Sequence, residues 1–160
     1  MNFEGWALFI DCDFLFFGDV AELLPFRDNQ IPVHCVHHDY TPKDTMKMDG
    51  KNQTNYPRKN WSSMMLLNCS HPACKRLTVA DINAKSGAYL HQMKWAKDCE
   101  IGSLPSEWNW LEGWDEKPRN SLPKAVHYTR GGPWFENCKN VDYADEWLNA
   151  ALQYKSSINS

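Results

Sequence analysis

No stretch of the 160-residue sequence stays apolar for long enough to span a bilayer. A basic excess is also missing. Seventeen lysines and arginines stand against twenty acidic residues, and a net charge of -3 supplies no field for holding nucleic acid, which excludes that class of partner. Residues 1–5 have neither a basic run nor a cleavable apolar stretch, so a soluble, cytoplasmic protein is expected. Repeats, linkers and low-complexity segments are absent, which argues for a single domain over residues 1–155 followed by a polar tail over 156–160. The six cysteines lack paired spacing. Cys69 and Cys74 flank His71, but no second Cys/His pair completes a zinc set, and reduced core thiols fit better than a disulfide framework. The sequons at Asn52, Asn60 and Asn68 matter only on a secretory route.

What is present is a substantial apolar fraction, 42%, with eight tryptophans, enough to bury a real core. Apolar runs predict strands over residues 6–10, 32–37, 63–67, 100–104 and 125–128. Gly18 and Asp19 predict a turn and then a short helix over 20–24, stopped by Pro25. Helical patterning recurs over 72–84 and 87–97. It is clearest over 142–154, where Tyr143, Trp147, Ala151 and Leu152 share a face and Asp142 is the expected N-cap. The alternation implies an α/β fold. Residues 39–59 form an unusually long loop containing Pro42, Gly50 and Pro57, expected to be mobile and to close over a ligand.

Asp11-Cys12-Asp13 stands where the first strand runs out, at the carboxyl edge where open α/β sheets place their ligands. In extended chain, positions i and i+2 share a side, so both carboxylates can face one cation while Cys12 points inward. Hard carboxylate oxygens suit Mn²⁺ or Mg²⁺, which commonly share their other positions with phosphate. A solvated loop explains two such aspartates equally well. At the far end, Lys124 to Trp134 runs from a strand into a Gly131-Gly132 turn, where backbone N–H groups can approach phosphate and Arg130 adds charge. His127 suits a third metal ligand, although a lone strand histidine is more often a satisfied core residue. His34, His37, His38 and Asp39 are weighed as a second metal cluster and disfavoured, because alternation sends His38 to the opposite face. Trp108, Trp110 and Trp114 read equally as sugar-stacking platforms and as core anchors.

Taken together, the segments Ala7 to Asp13, Asn60 to Asn68, Leu104 to Trp110 and the His127 stretch resemble glycosyltransferase family 8, the retaining GT-A enzymes that include glycogenin and the lipopolysaccharide galactosyltransferases. The order and spacing match over nearly the whole chain. The resemblance implies a three-layer GT-A-like mixed sheet with flanking helices. It implies a Mn²⁺ (or Mg²⁺) site at Asp11, Asp13 and His127, and diphosphate contacts at Arg130, Gly131 and Gly132. Catalytic roles fall to Asp13 and to Gln92, which lies near the family's Asp-Gln pair, and sugar or acceptor contacts to Trp61, Ser62, Ser63, Trp108, Asn109, Trp110 and Trp134.

Departures from the family pattern are specific. The closing motif is one residue shorter than usual and lacks its lysine, for which Arg130 stands in. His91 occupies the acidic position of the Asp-Gln pair, and Trp61 falls in an asparagine register. Family members also carry a nucleotide-binding half ahead of the Asp-x-Asp strand. The expectation is therefore an N-terminally truncated fold, a poor catalyst alone, that uses a nucleotide-diphosphate sugar donor and a sugar or glycan acceptor and associates as a homodimer or with a completing chain. The alternatives are a catalytically reduced nucleotide-sugar or metal binding module, and a metal-dependent nucleotide-sugar hydrolase.

Overall fold

The computed structural model describes residues 4–41 and 56–158. The expected lid over 39–59 falls mostly outside the described residues. Among the described residues seven strands make two sheets. β1 (Trp6–Ile10), β3 (Val33–Cys35), β4 (Met64–Asn68) and β5 (Ile101–Ser103) form a four-stranded sheet in the order β1-β4-β3-β5. β4 is antiparallel to both β1 and β3, and β3 runs parallel to β5. β2 (Phe14–Phe16), β6 (Trp110–Leu111) and β7 (Ala125–His127) form a smaller sheet in the order β2-β7-β6, with one antiparallel and one parallel pairing. Both sheets are mixed and helices flank them, the α/β architecture expected.

β2 and β6 were not expected. Two- and three-residue strands carry no readable alternation, and each exists because β7 offers it a ladder. The expected helix over 72–84 is broken in two. α1 (Pro72–Lys75) stops, and Thr78 takes an extended conformation to cap α2 (Val79–Ala84), its hydroxyl accepting from the Asp81 N–H while the Asp81 carboxylate reaches back to the Thr78 N–H. α3 covers Gly87–His91 and turns out at Gln92, well short of residue 97. The helix expected over 20–24 is a 3-10 helix over Val20–Phe26 that contains Pro25. α4 runs Ala144–Ile158, into the stretch read as tail. Asp142 does not cap it as expected; its carboxylate instead pairs with Lys117 Nζ at 2.7 Å.

Burial concentrates where the sheets meet their neighbours. Val33, Cys35, Leu67, Cys69, Cys74, Met93 and Ile101 close one side of the larger sheet. Leu23, Val36, Met64, Leu66, Leu104 and Trp108 close the other, and Trp110, Val126, Tyr128 and Tyr143 cluster on the small sheet. All six cysteines are free thiols, and Cys35, Cys69, Cys74 and Cys138 are buried as small hydrophobes. Burial pushes the Cys35 thiol up to about 12, which makes it inert. Cys12 differs from the expectation: it is exposed, because it lies in the turn between the two sheets and not in either ladder. Among the described residues no helix is long and apolar enough to cross a membrane.

Candidate metal centre

The larger sheet delivers Asp11 and the smaller one delivers His127. β1 ends at Ile10, and the Asp11 N–H continues its ladder by donating to the Ser63 carbonyl at 2.8 Å. The chain then crosses into β2, where the Asp13 carbonyl accepts from the Tyr128 N–H at 3.0 Å, fixing the second aspartate beside the end of β7. His127 is the last residue of β7. In the ladder it stands opposite Phe14, and the two rings lie nearly parallel with centroids 4.5 Å apart. Covered on that face and flanked by Leu111 of β6, His127 is 2% exposed. Its Nε2 lies 3.5 Å from Asp13 Oδ2. One ligand atom from each of Asp11, Asp13 and His127 falls within 4.8 Å of the others.

That donor set suits a hard divalent cation. Two ligands of one Mg²⁺-sized ion, each at about 2.1 Å, sit at most about 4.2 Å apart, so donor atoms within 4.8 Å of one another are near the spacing one ion needs. Asp11, Asp13 and His127 would hold the ion, leaving the outward side for water or phosphate.

Around the trio the structure brings in residues that sequence reading had not assigned to the metal site. His38 is close enough to His127 for that imidazole to disfavour protonation of His38. With burial as the larger cause, and Asn109 pulling the other way, the His38 pKa falls to about 4. A cleft of about 360 Å³ opens there, lined by His38, Asp39, Tyr40, Tyr56 and Arg58 among others. Tyr56 is near Asp11: burial, then the Asp11 carboxylate, push its hydroxyl pKa up. Ser62 Oγ and His91 Nδ1 are 2.9 Å apart, joining the 3-10 turn before β4 to the end of α3.

The remaining predicted residues fall into different settings. Gln92 terminates α3. Its carbonyl accepts from Arg58 Nη1 at 2.8 Å, and it lines a separate cleft with Pro57, Arg58, Lys94, Ala96 and Asp98. Arg130 is exposed, with Nη1 3.4 Å from the Gly113 carbonyl. Gly131 adopts φ +123°, and at Gly132 a Cβ would strike the Trp134 ring, so close packing as well as turn geometry asks for glycine there. Trp61 stacks on His37 at 4.0 Å with rings parallel, and donates its Nε1–H to the His38 carbonyl. Trp134 is 38% exposed, its ring set edge-on to Tyr128 and tilted against Trp147.

Trp108 and Trp110, expected as sugar contacts, are core residues at 2% and 5% exposure. The first fills the cluster under the larger sheet, and the second is locked by a bond from Nε1 to the Glu116 carbonyl. Neither offers a ring face to a ligand. Trp114 alone of that trio is exposed, edge-on to Tyr40 at the cleft. Asn109, also expected as a sugar contact, is completely buried. The sequons at Asn60 and Asn68 have no accessible amide: Asn68 is buried and the Asn60 Nδ2 is enclosed.

Comparison with known proteins agrees on the architecture. No family model matches the sequence. The chain is 53% identical over 156 residues to Protein CDI of Arabidopsis thaliana, a match covering 96% of this chain and 60% of that protein, so the chain spans about three fifths of the relative's length. Among solved structures, the apo form of the glycosyltransferase GlyE from Streptococcus pneumoniae TIGR4 superposes with a TM-score of 0.63 at 17% identity, covering 92% of this chain and 39% of GlyE. An active-site mutant of LgtC gives 0.56 at 12% identity, covering 92% of this chain and 61% of LgtC. At such identities the likeness is one of fold. The chain has a GT-A-like, glycosyltransferase-type α/β fold, and it matches part of each of these larger chains.

Proposed function

We propose that this chain carries the metal-binding and acceptor-side part of a family 8-like glycosyltransferase, which moves a sugar from a nucleotide-diphosphate donor to a sugar or glycan acceptor with retention. The observation that carries the reading is the convergence of Asp11, Asp13 and His127 from two different sheets onto one point in a glycosyltransferase fold. A scaffold serving packing alone has no use for two carboxylates and an imidazole aimed at a common centre. Mn²⁺ or Mg²⁺ bound there would neutralise charge on the departing diphosphate. The chain's own residues do the rest. Asp11 and Asp13 would hold the ion at the strand ends, while the Arg130-Gly131-Gly132 turn offers N–H groups and a guanidinium to the donor's phosphates. The cleft beside His38 receives the acceptor, with Tyr40 and Tyr56 as its aromatic surfaces.

The two buried tryptophans are removed from the acceptor side; the Ser62–His91 pair stays a candidate for contact with the reacting sugar, and Gln92, on the neighbouring cleft that shares Pro57 and Arg58, would act from there. Among the described residues β1 has one ladder neighbour, β4, and it carries exposed Phe9 and Ile10. This edge supports association with a second chain, either a copy or a completing chain, and sedimentation of the isolated chain checks it. Six free thiols fit a reducing, cytoplasmic setting.

The reading is tested by thermal shift over a panel of nucleotide-diphosphate sugars with and without Mn²⁺. A ligand at 100 times its Kd stabilises by about 2.7 kcal/mol, so a metal-dependent rise in melting temperature with at least one donor is expected. The rise is lost in Asp13→Asn. Equal shifts in wild type and variant would remove the assignment, and release of free sugar without transfer would convert it to a hydrolase.

A further inference from the structure

We propose that Asn109 is a positioning residue that holds His127 as its Nδ1–H tautomer and thereby keeps the Nε2 lone pair turned toward Asp13 and Asp11; the inference rests on the metal reading for its purpose, though not for its geometry. Asn109 lies at the end of the 3-10 helix Ser106–Asn109, just before β6, with no solvent exposure. A fully buried amide costs free energy unless its polar atoms are engaged. Here they are. Nδ2 donates to Ser63 Oγ at 2.9 Å and to the Asn60 carbonyl at 3.3 Å. Ser63 Oγ spends its own proton on that same carbonyl at 2.7 Å, so toward Asn109 it can only accept. Asn60 is held in turn: it adopts the left-handed conformation, φ +65°, and its Oδ1 accepts from Thr129 Oγ1.

These bonds settle which end of the amide faces His127. Flipping Asn109 would set its oxygen against the Asn60 carbonyl and against an accepting hydroxyl, so Oδ1 must point the other way, toward His127 Nδ1 at 3.0 Å. An oxygen there demands a proton on Nδ1. The competing tautomer, with its proton on Nε2 directed at Asp13, would leave the Nδ1 lone pair facing the Asn109 oxygen at 3.0 Å in a buried site, and would gain only a 3.5 Å contact, longer than a good hydrogen bond. Turning the imidazole over would present carbon to both neighbours and undo both contacts. Ring position is fixed as well, by the Phe14 stack and the β7 ladder. Nε2 is therefore the one nitrogen left to bind an ion. Removal of the Asn109 oxygen frees the proton to move to Nε2, where it bonds the carboxylate and closes the site to metal.

The test reads the tautomer directly. Long-range ¹H–¹⁵N correlation spectra of the metal-free chain, at a pH where the imidazoles are neutral and with His127 assigned by its loss in His127→Gln, are expected to show the proton on Nδ1. Asn109→Leu is expected to shift His127 toward the Nε2–H form and to weaken Mn²⁺ binding by about 10- to 100-fold. Asn109→Asp keeps an oxygen facing Nδ1, so it is expected to keep the Nδ1–H form, at a cost in stability because its second oxygen meets the Asn60 carbonyl that Nδ2 serves in wild type. An Nε2–H tautomer in wild type overturns the inference, and that spectrum decides the matter even if the leucine variant does not fold. A folded Asn109→Leu chain with an unchanged tautomer overturns it as well. The expected wild-type tautomer in a chain that binds no Mn²⁺ supports the positioning role and overturns the metal reading instead.

Discussion

The two sheets contribute to one centre on opposite terms. β1 runs to an exposed carboxylate: Phe9, Ile10 and Asp11 all face solvent, and Asp11 is tied to the protein through its backbone N–H. β7 is buried at every residue and ends in an imidazole that is ring-stacked, laddered on both sides and held at Nδ1. The small sheet, with strands of two or three residues, is thus the rigid half of the site, and the longer sheet supplies the adjustable half. Such a division would suit a divalent cation: one preset nitrogen and one carboxylate, Asp13, set beside it by the small sheet, with Asp11 completing the trio from the exposed end of β1.

If that contrast is right, substitutions should separate by side. The largest effect belongs to the core beneath the sheets. Trp108→Ala is expected to cost about 3–5 kcal/mol in denaturant unfolding, since it empties the centre of a cluster at 2% exposure. A loss under about 1 kcal/mol would mean that the ring is not the packed anchor described.

Next comes acid. His34 and His38 both have pKa values lowered chiefly by burial, His38 to about 4, and both His34 ring nitrogens and His38 Nε2 lie buried without a hydrogen-bond partner. Each is neutral when folded and takes up a proton on unfolding below the ordinary value near 6.5. Their contribution is therefore complete above pH 6.5 and lost as pH falls toward 4. Stability is expected to drop by about 1–3 kcal/mol from pH 7 to pH 4.5 beyond the change seen in His34→Leu, His38→Phe double variants. Parallel pH profiles for the two proteins would refute it.

The ligands themselves should show the asymmetry most sharply. Asp11→Asn is expected to leave the unfolding free energy within about 0.5 kcal/mol of wild type while removing Mn²⁺ affinity. His127→Ala is expected to remove affinity and also cost about 1–3 kcal/mol, because it strands the Asn109 oxygen and opens a gap under Phe14. Equal stability costs for the two would erase the distinction between the sheets. The smallest effect is on the surface: Trp134→Ala, at a ring 38% exposed, is expected to cost about 1 kcal/mol or less and to act mainly on ligand affinity.

How much of this could be read from the sequence follows the same divide. The apolar run from Trp6 to Ile10 ending in Asp11, and the strand ending in His127, were visible because each is a local signal: several buried residues in a row, then a ligand type. What was not visible depends on partners far along the chain. β2 and β6 exist through pairing with β7. Asn109 takes its meaning from His127, 18 residues away, and Asn60, 49 away. The tryptophans of the 108–114 stretch could not be sorted into core and surface because the 3-10 helix that turns Trp108 inward carries no hydrophobic period. Cys12 was misplaced because extending β1's alternation past Ile10 assumed a single sheet, whereas the chain changes sheets at that point.

One measurement addresses the centre most directly: pulsed electron paramagnetic resonance of Mn²⁺ added to the chain, read for coupling to an imidazole nitrogen. Three ligands converging as described predict saturable binding, a single ¹⁴N imidazole coupling that vanishes in His127→Gln, and loss of binding in Asp11→Asn and Asp13→Asn. Mn²⁺ bound without nitrogen coupling, or bound equally by all three variants, would contradict a centre built from Asp11, Asp13 and His127.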